Sequence, residues 1–156
     1  MYRAIVKRRL RRAFLEDLSK GDYPALLRRT APDVVFRFPG ESVLGGTRAS
    51  RDALGSWFEL LFSLFPVLRF EVEEIAVAGW PWRTVAAVRW RNEGTAADGE
   101  PYENAGCELF DLRWGRATRI HQHLDTKVIY DHLERMASAG IESAASAPVA
   151  TGVAGG

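Results

Sequence analysis

Two histidines and an aspartate stand at alternate positions in Arg119-Ile120-His121-Gln122-His123-Leu124-Asp125. In an extended strand, residues two apart share a face. His121, His123 and Asp125 would then form a row of titratable groups, with Ile120, Gln122 and Leu124 on the other side. Such a row suits three chemistries. A carboxylate in an apolar hollow has its pKa raised by desolvation and becomes a better base. An imidazole shuttles protons near neutral pH or donates to an oxyanion. His-x-His-x-Asp can also present ligands to zinc or iron. Histidines satisfied by neighbouring carboxylates are the stronger reading, so neither a metal nor a cofactor is expected.

Neighbouring strands extend the row. Taking Asp98-Gly99 and Trp114-Gly115 as two-residue hairpin turns builds a grid. Its rows are Arg89–Glu108–His121, Arg91–Gly106–His123 and Glu93–Asn104–Asp125, with Tyr102 and Phe110 at its flanks. Opposed residues share a face with Cβ atoms about 4.5–5.5 Å apart. Gly106 leaves room for something to approach the sheet. Facing a pocket, the grid offers Asp125 as a base, Asn104 to orient it, and His123 and His121 as donors or proton shuttles. Arg89, Arg91, Glu93, Tyr102 and Glu108 would contact substrate. Facing water, the same grid is a solvated surface or an oligomer interface. A one-residue slip at either turn moves a whole strand to the other face.

The elements that must hold this grid are legible in order. Tyr2, Val6, Leu10, Phe14 and Leu18 recur every four residues and predict an amphipathic helix over 2–20. Gly21 stops it and Asp22 caps a short helix over 23–30. A short strand follows over 33–38, ended by Pro39-Gly40. Leu54, Trp57, Phe58, Leu61, Phe62 and Phe65 make the strongest helical stripe, closed by Pro66. Six large side chains on one stripe require a broad apolar partner, which a curved sheet supplies. Four long strands then meander to Thr126, with a phase slip at Glu73-Glu74 that predicts a bulge. A last short helix over 128–137 leads into a small-residue tail. The reading is an α+β domain over 1–137: a bent antiparallel sheet of four long strands and a short one, wrapped on three N-terminal helices. Residues 138–156 are expected to be a disordered tail.

The bulk numbers exclude more than they assign. An apolar fraction of 47% with 26% charged residues is that of a globular domain. A net charge of +1 gives no whole-molecule field for nucleic acid or anionic membrane. Six basic residues of the first helix are read as a solvated face. The lone Cys107 and the absence of an apolar signal core suggest a cytoplasmic protein.

Lys20-Gly21-Asp22, Pro32 through Phe36, Gly46, Asn92 through Thr95, Gly115 through Ile120 and Asp125 carry a resemblance over about residues 5–135. Together they are similar to the nuclear-transport-factor-two-like superfamily, in its SnoaL-like branch, related to polyketide cyclases and ketosteroid isomerase. The resemblance implies a cone-shaped, cystatin-like α+β fold whose open end holds a small, usually apolar molecule. It implies that His123 and Asp125 look into the cone, with Phe14, Trp57 and Phe38 among its walls. The ketosteroid isomerase set is missing: the matching positions are Phe14, Phe38 (or Arg37) and the neighbourhood of Gly106. Arg91-Asn92-Glu93 with Asp125 resembles the pair of limonene epoxide hydrolase, but Val35 and Arg37 replace its water-holding residues. The resemblance thus implies a binder of a small hydrophobic or polyketide-like carbonyl compound. It would be either a cofactor-independent acid/base enzyme (cyclase, isomerase, dehydratase or hydrolase in type) or a noncatalytic ligand-binding or dimerisation module. The expected partners are that small molecule and a second copy paired through the sheet, with no nucleic acid and no membrane.

Overall fold

The computed structural model describes residues 1–145. One six-stranded sheet runs β2-β1-β6-β5-β4-β3, with β1 (Thr30–Phe38), β2 (Gly46–Arg48), β3 (Val67–Trp80), β4 (Arg83–Thr95), β5 (Pro101–Arg113) and β6 (Arg116–Leu124). All pairings are antiparallel except β1 with β6. Helices α1 (Tyr2–Arg12), α2 (Tyr23–Leu27) and α3 (Arg51–Leu64) cover the concave face. α4 (Thr126–Ser138) follows the last strand. The expected α+β architecture is present, with β2 as an extra strand.

Local chemistry explains the helices. The four-residue spacing of the α1 stripe exceeds the 3.6 residues of an α-helical turn, so a regular helix would rotate it off the sheet. A wider π-type turn at Ala13–Asp17 absorbs the excess and keeps Phe14 and Leu18 buried. Asp22 accepts from Ala25 N at 3.1 Å and Ser50 from Ala53 N at 3.1 Å, capping α2 and α3. α3 buries Leu54, Trp57, Phe58, Leu61 and Leu64. The β3 bulge lies between Val72 and Glu74, where the phase slip placed it.

The expected register fails at both later hairpins. Asp98-Gly99 belongs to a three-residue loop: Ala96 N donates to Glu100 O, Gly99 N donates to Ala96 O, and Gly99 has φ 86°. Arg89 therefore faces Cys107 across the ladder, not Glu108, and Asn92 faces Asn104. Trp114-Gly115 is a two-residue turn as expected, since Arg113 pairs with Arg116. The register then shifts between Asp111 and Leu112, leaving Thr118 as an extra residue whose hydroxyl donates to Asp111 O at 3.1 Å. Beyond that bulge His121 faces Leu109, and His123 faces Cys107.

Gly106 serves the sheet itself. A Cβ there would fall 2.3 Å from the His123 carbonyl oxygen and 2.9 Å from the Trp90 ring. What approaches it is therefore the protein's own backbone and core, not a ligand. Gly106→Ala is expected to force β5 and β6 apart and to destabilise the fold by roughly 2–3 kcal/mol. Urea unfolding midpoints check this, and an unchanged midpoint would refute the close approach.

The expected tail begins too early. Residue 138 ends α4, and a further turn, α5 (Glu142–Ala145), buries Ala144 against the core. Residues 146–156 of that tail lie outside the described residues.

Candidate functional site

The concave face of the sheet and helices α1 and α3 enclose a cavity of about 130 Å³. Its wall is mostly apolar, with six aromatic rings, Phe14, Phe36, Trp57, Phe58, Phe70 and Phe110, among aliphatic side chains. Three of these, Phe14, Trp57 and Phe58, come from the N-terminal and α3 stripes; Phe36, Phe70 and Phe110 come from strands β1, β3 and β5. Trp57 Nε1 donates to the Leu44 carbonyl at 2.9 Å, which fixes that indole in the wall.

One carboxyl group enters this apolar space. Glu108 lines the cavity from the middle of β5, level with Gln122 of β6, which lines it too. Among the described residues it has no hydrogen-bond or ion-pair partner. Burial alone pushes its pKa up to about 8, since an ionised carboxylate here would lose water and gain no donor. At neutral pH the side chain is therefore mostly a neutral acid, held close to the range where proton transfer in both directions is efficient. Arg9 and Arg29 reach the cavity rim; Arg29 is tied to Asp17 at 2.7 Å.

The other members of the expected grid are elsewhere, for one geometric reason. Each hairpin slips by one residue, so β4 and β6 turn their charged positions outward while β5 keeps Glu108 and Asn104 inward. His123 is exposed and His121 half-buried on the outer face, their rings 4.4 Å apart. Partial burial, then His123, Arg37 and Arg119, lower the His121 pKa. Arg89 and Arg91 lie exposed on that outer face and hold Glu73 at 3.1 and 2.8 Å; Arg89 also reaches Glu74. Glu93 is exposed beside them. Asp125 caps α4, accepting from Lys127 N at 3.0 Å and Val128 N at 3.4 Å. A carboxylate in that position is committed to a helix terminus.

Asn104 is buried on the inner face but at the opposite end of the sheet. It donates to Tyr102 Oη at 3.2 Å and to the Asp125 carbonyl at 3.1 Å. Tyr102 packs against Phe65 and His132, and burial pushes its phenol up to about 12. Phe38 is buried against Trp57, behind the wall and not in it. Phe14 and Trp57 line the cavity directly. Sequence reasoning placed Glu108 in a charged grid beside Arg89 and His121; the structure puts Val88 and Gln122 opposite it across the ladder and leaves Glu108 beside Gln122 among apolar side chains. Gln122, set among the outward residues of the last strand's other face, was missed as a cavity residue.

A model of the SnoaL-like domain matches residues 11–120. The chain belongs to the SnoaL-like domain family. Solved structures share the fold at low identity. An NTF2-like protein of unknown function from Burkholderia pseudomallei K96243 is 23% identical, with TM-score 0.70 over 81% of this chain and 95% of that one. A candidate SnoaL-like polyketide cyclase from Jannaschia sp. CCS1 is 18% identical, with TM-score 0.66 over 80% and 88%. TerC, co-crystallised with polyporic acid, is 20% identical, with TM-score 0.60 over 76% and 90%. No curated protein matches the chain. In this SnoaL-like domain the cavity lies beneath the helices, with Glu108 and Gln122 in its lining.

Proposed function

We propose that this SnoaL-like protein binds a small, largely apolar carbonyl compound in the cavity and moves a proton on it through Glu108. The observation that carries the reading is an unpaired carboxyl group, its pKa pushed up to about 8, inside an apolar hollow. The volume limits the ligand. About 130 Å³ is near the size of a cavity, roughly 150 Å³, that holds benzene. A single ring with a short substituent fits; a fused polycyclic compound would need α1 to move. The ionised form of Glu108 takes a proton from the carbon beside the carbonyl, and its conjugate acid returns that proton to oxygen or carbon. Gln122, level with it, is placed to donate to the developing oxyanion.

A second reading is a noncatalytic carrier. It is favoured by the absence, among the described residues, of a titratable partner that orients Glu108. One experiment separates the two. In deuterated buffer, cyclohexanone and acetophenone are added as single-ring probes, and loss of their α-proton NMR signals is timed. For the enzyme, exchange exceeds buffer catalysis and rises with pH through about 8, as the base form of Glu108 is populated. Probe line-broadening without exchange leaves the carrier reading.

A further inference from the structure

Three tryptophans stand exposed at one end of the molecule, on the tips of the β3–β4 and β5–β6 hairpins. Trp80, Trp82 and Trp114 are 65%, 54% and 70% exposed. They are ordered with respect to one another. Trp80 and Trp82 stack at 5.8 Å and 5°, and Trp114 leans on Trp82 at 6.3 Å. Trp114 N donates to the Pro81 carbonyl at 2.7 Å, which locks the two tips together. Trp114 also has φ 51°, a left-handed conformation that is strained for a bulky side chain and natural to Asn or Gly. The turn thus gives up stability to hold an indole outward, where it contributes nothing to the core.

The same end is strongly basic. α1 lies alongside the tips: Tyr2 Oη meets Thr84 Oγ1 at 2.6 Å, and the Arg9 guanidinium lies over Gly115. Arg3, Lys7, Arg8 and Arg9 are exposed on α1, and Arg83, Arg113 and Arg116 on the tips. No acidic residue occurs from Met1 to Leu15, from Ile75 to Asn92, or from Leu112 to Leu124. The net charge of +1 therefore averages a basic end against a net acidic remainder. The expectation of no membrane contact rested on that average and on reading the basic face of the first helix as merely solvated. Met1 and Ile5 add exposed apolar surface to the basic end.

We infer that this end docks on an anionic lipid surface. Clustered, exposed indoles with arginines and lysines around them match a headgroup layer: ring bodies enter the acyl boundary and cations meet phosphates. A second copy of the chain is disfavoured, since two basic ends repel. Single-stranded nucleic acid is disfavoured because Trp80, Trp82 and Trp114 pack on one another, which leaves fewer free ring faces for bases to stack on. No described helix is long and apolar enough to cross a membrane, so the contact is peripheral. Arg9 and Gly115 also border the cavity, so docking turns that side of it toward the lipid. The docking itself is independent of the chemistry proposed for Glu108.

The test uses the full chain with vesicles of phosphatidylcholine alone or mixed with phosphatidylglycerol, followed by sedimentation and tryptophan emission. Binding is expected only to the mixed vesicles, with a blue-shifted emission and a loss of affinity as salt is raised. Trp82→Ser and Trp114→Ser are each expected to weaken it by roughly tenfold. Glu108→Gln should bind vesicles like the wild type, which separates this result from failure of the proposed catalysis. Equal behaviour toward both vesicle types, unchanged binding by the tryptophan variants, or a labelled single-stranded oligonucleotide bound in preference to vesicles would overturn the inference.

Discussion

Glu108→Gln is expected to abolish most α-proton exchange and, at the same time, to make the protein more stable in alkaline buffer. Both effects come from one displaced equilibrium. The carboxyl group has an ordinary pKa of 4.5 and a folded value of about 8. Between these values the folded chain holds a proton that the unfolded chain has released. Unfolding then releases a proton, so stability falls as pH rises through that window and levels off above about 8. At roughly 1.4 kcal/mol per pH unit, the penalty at pH 9 amounts to several kcal/mol. Glutamine keeps the shape, never ionises, and escapes the penalty. The two proteins should unfold at similar urea concentrations near pH 4, diverge between about pH 5 and 8, and stay apart by a constant margin above that, with the variant the more resistant. Exchange of the probe ketones should drop by about 10²–10⁴-fold, the usual worth of a positioned acid or base. Parallel stability curves would show that Glu108 ionises as easily in the fold as out of it. That result would remove the physical basis of the proposed site.

The fold was legible because its signals repeat. The α3 stripe offers a helical match at every turn, and the Glu73-Glu74 bulge shows in the strand's alternation. The site was less legible because it turns on single residues. Asp-Gly marks both a two-residue turn and the last two positions of a three-residue loop ending in a left-handed glycine. Thr118 suits either face, so its bulge leaves no mark, yet it decides where both histidines point. Asp125 is a good strand-end base by type, but an aspartate just before an apolar-periodic stretch is also a helix cap. Glu108 sits between Cys107 and Leu109, which pull the alternation the wrong way. The counter-signal was present: Tyr102, Phe110 and Leu112 share its phase and outweigh Ala105, Cys107 and Leu109 in apolar bulk. β5 therefore turns a half-buried glutamate into the cavity while leaving Leu109 41% exposed. An inversion of that kind, local preference yielding to position, is expected where a site is built.

Arg48→Met is expected to destabilise the protein by roughly 2–4 kcal/mol, although it removes a buried charge. Arg48 is 3% exposed, and burial lowers its pKa without any carboxylate partner. Its guanidinium donates instead to three carbonyls of one loop: Leu44 at 2.8 Å, Gly45 at 2.6 Å and Val43 at 3.3 Å. A forked donor set can gather such carbonyls where a point charge cannot. Methionine fills much of the space and relieves the desolvated cation, but it leaves the Val43 and Gly45 oxygens buried with no donor among the described residues. Each orphan costs about 1–3 kcal/mol, and the relief offsets part of that sum. Arg48→Lys, with one compact head, should fall between the two. The Leu44 carbonyl also receives Trp57, so the guanidinium fixes the loop against which a cavity wall rests. Loss of Arg48 should therefore weaken binding of the single-ring probes as well as lower the unfolding midpoint. Amide exchange of residues 43–46 reads the local effect: it should accelerate in Arg48→Met well before global unfolding does. A variant as stable as the parent, with the loop equally protected, would mean that packing of Val43 and Leu44 alone holds this segment.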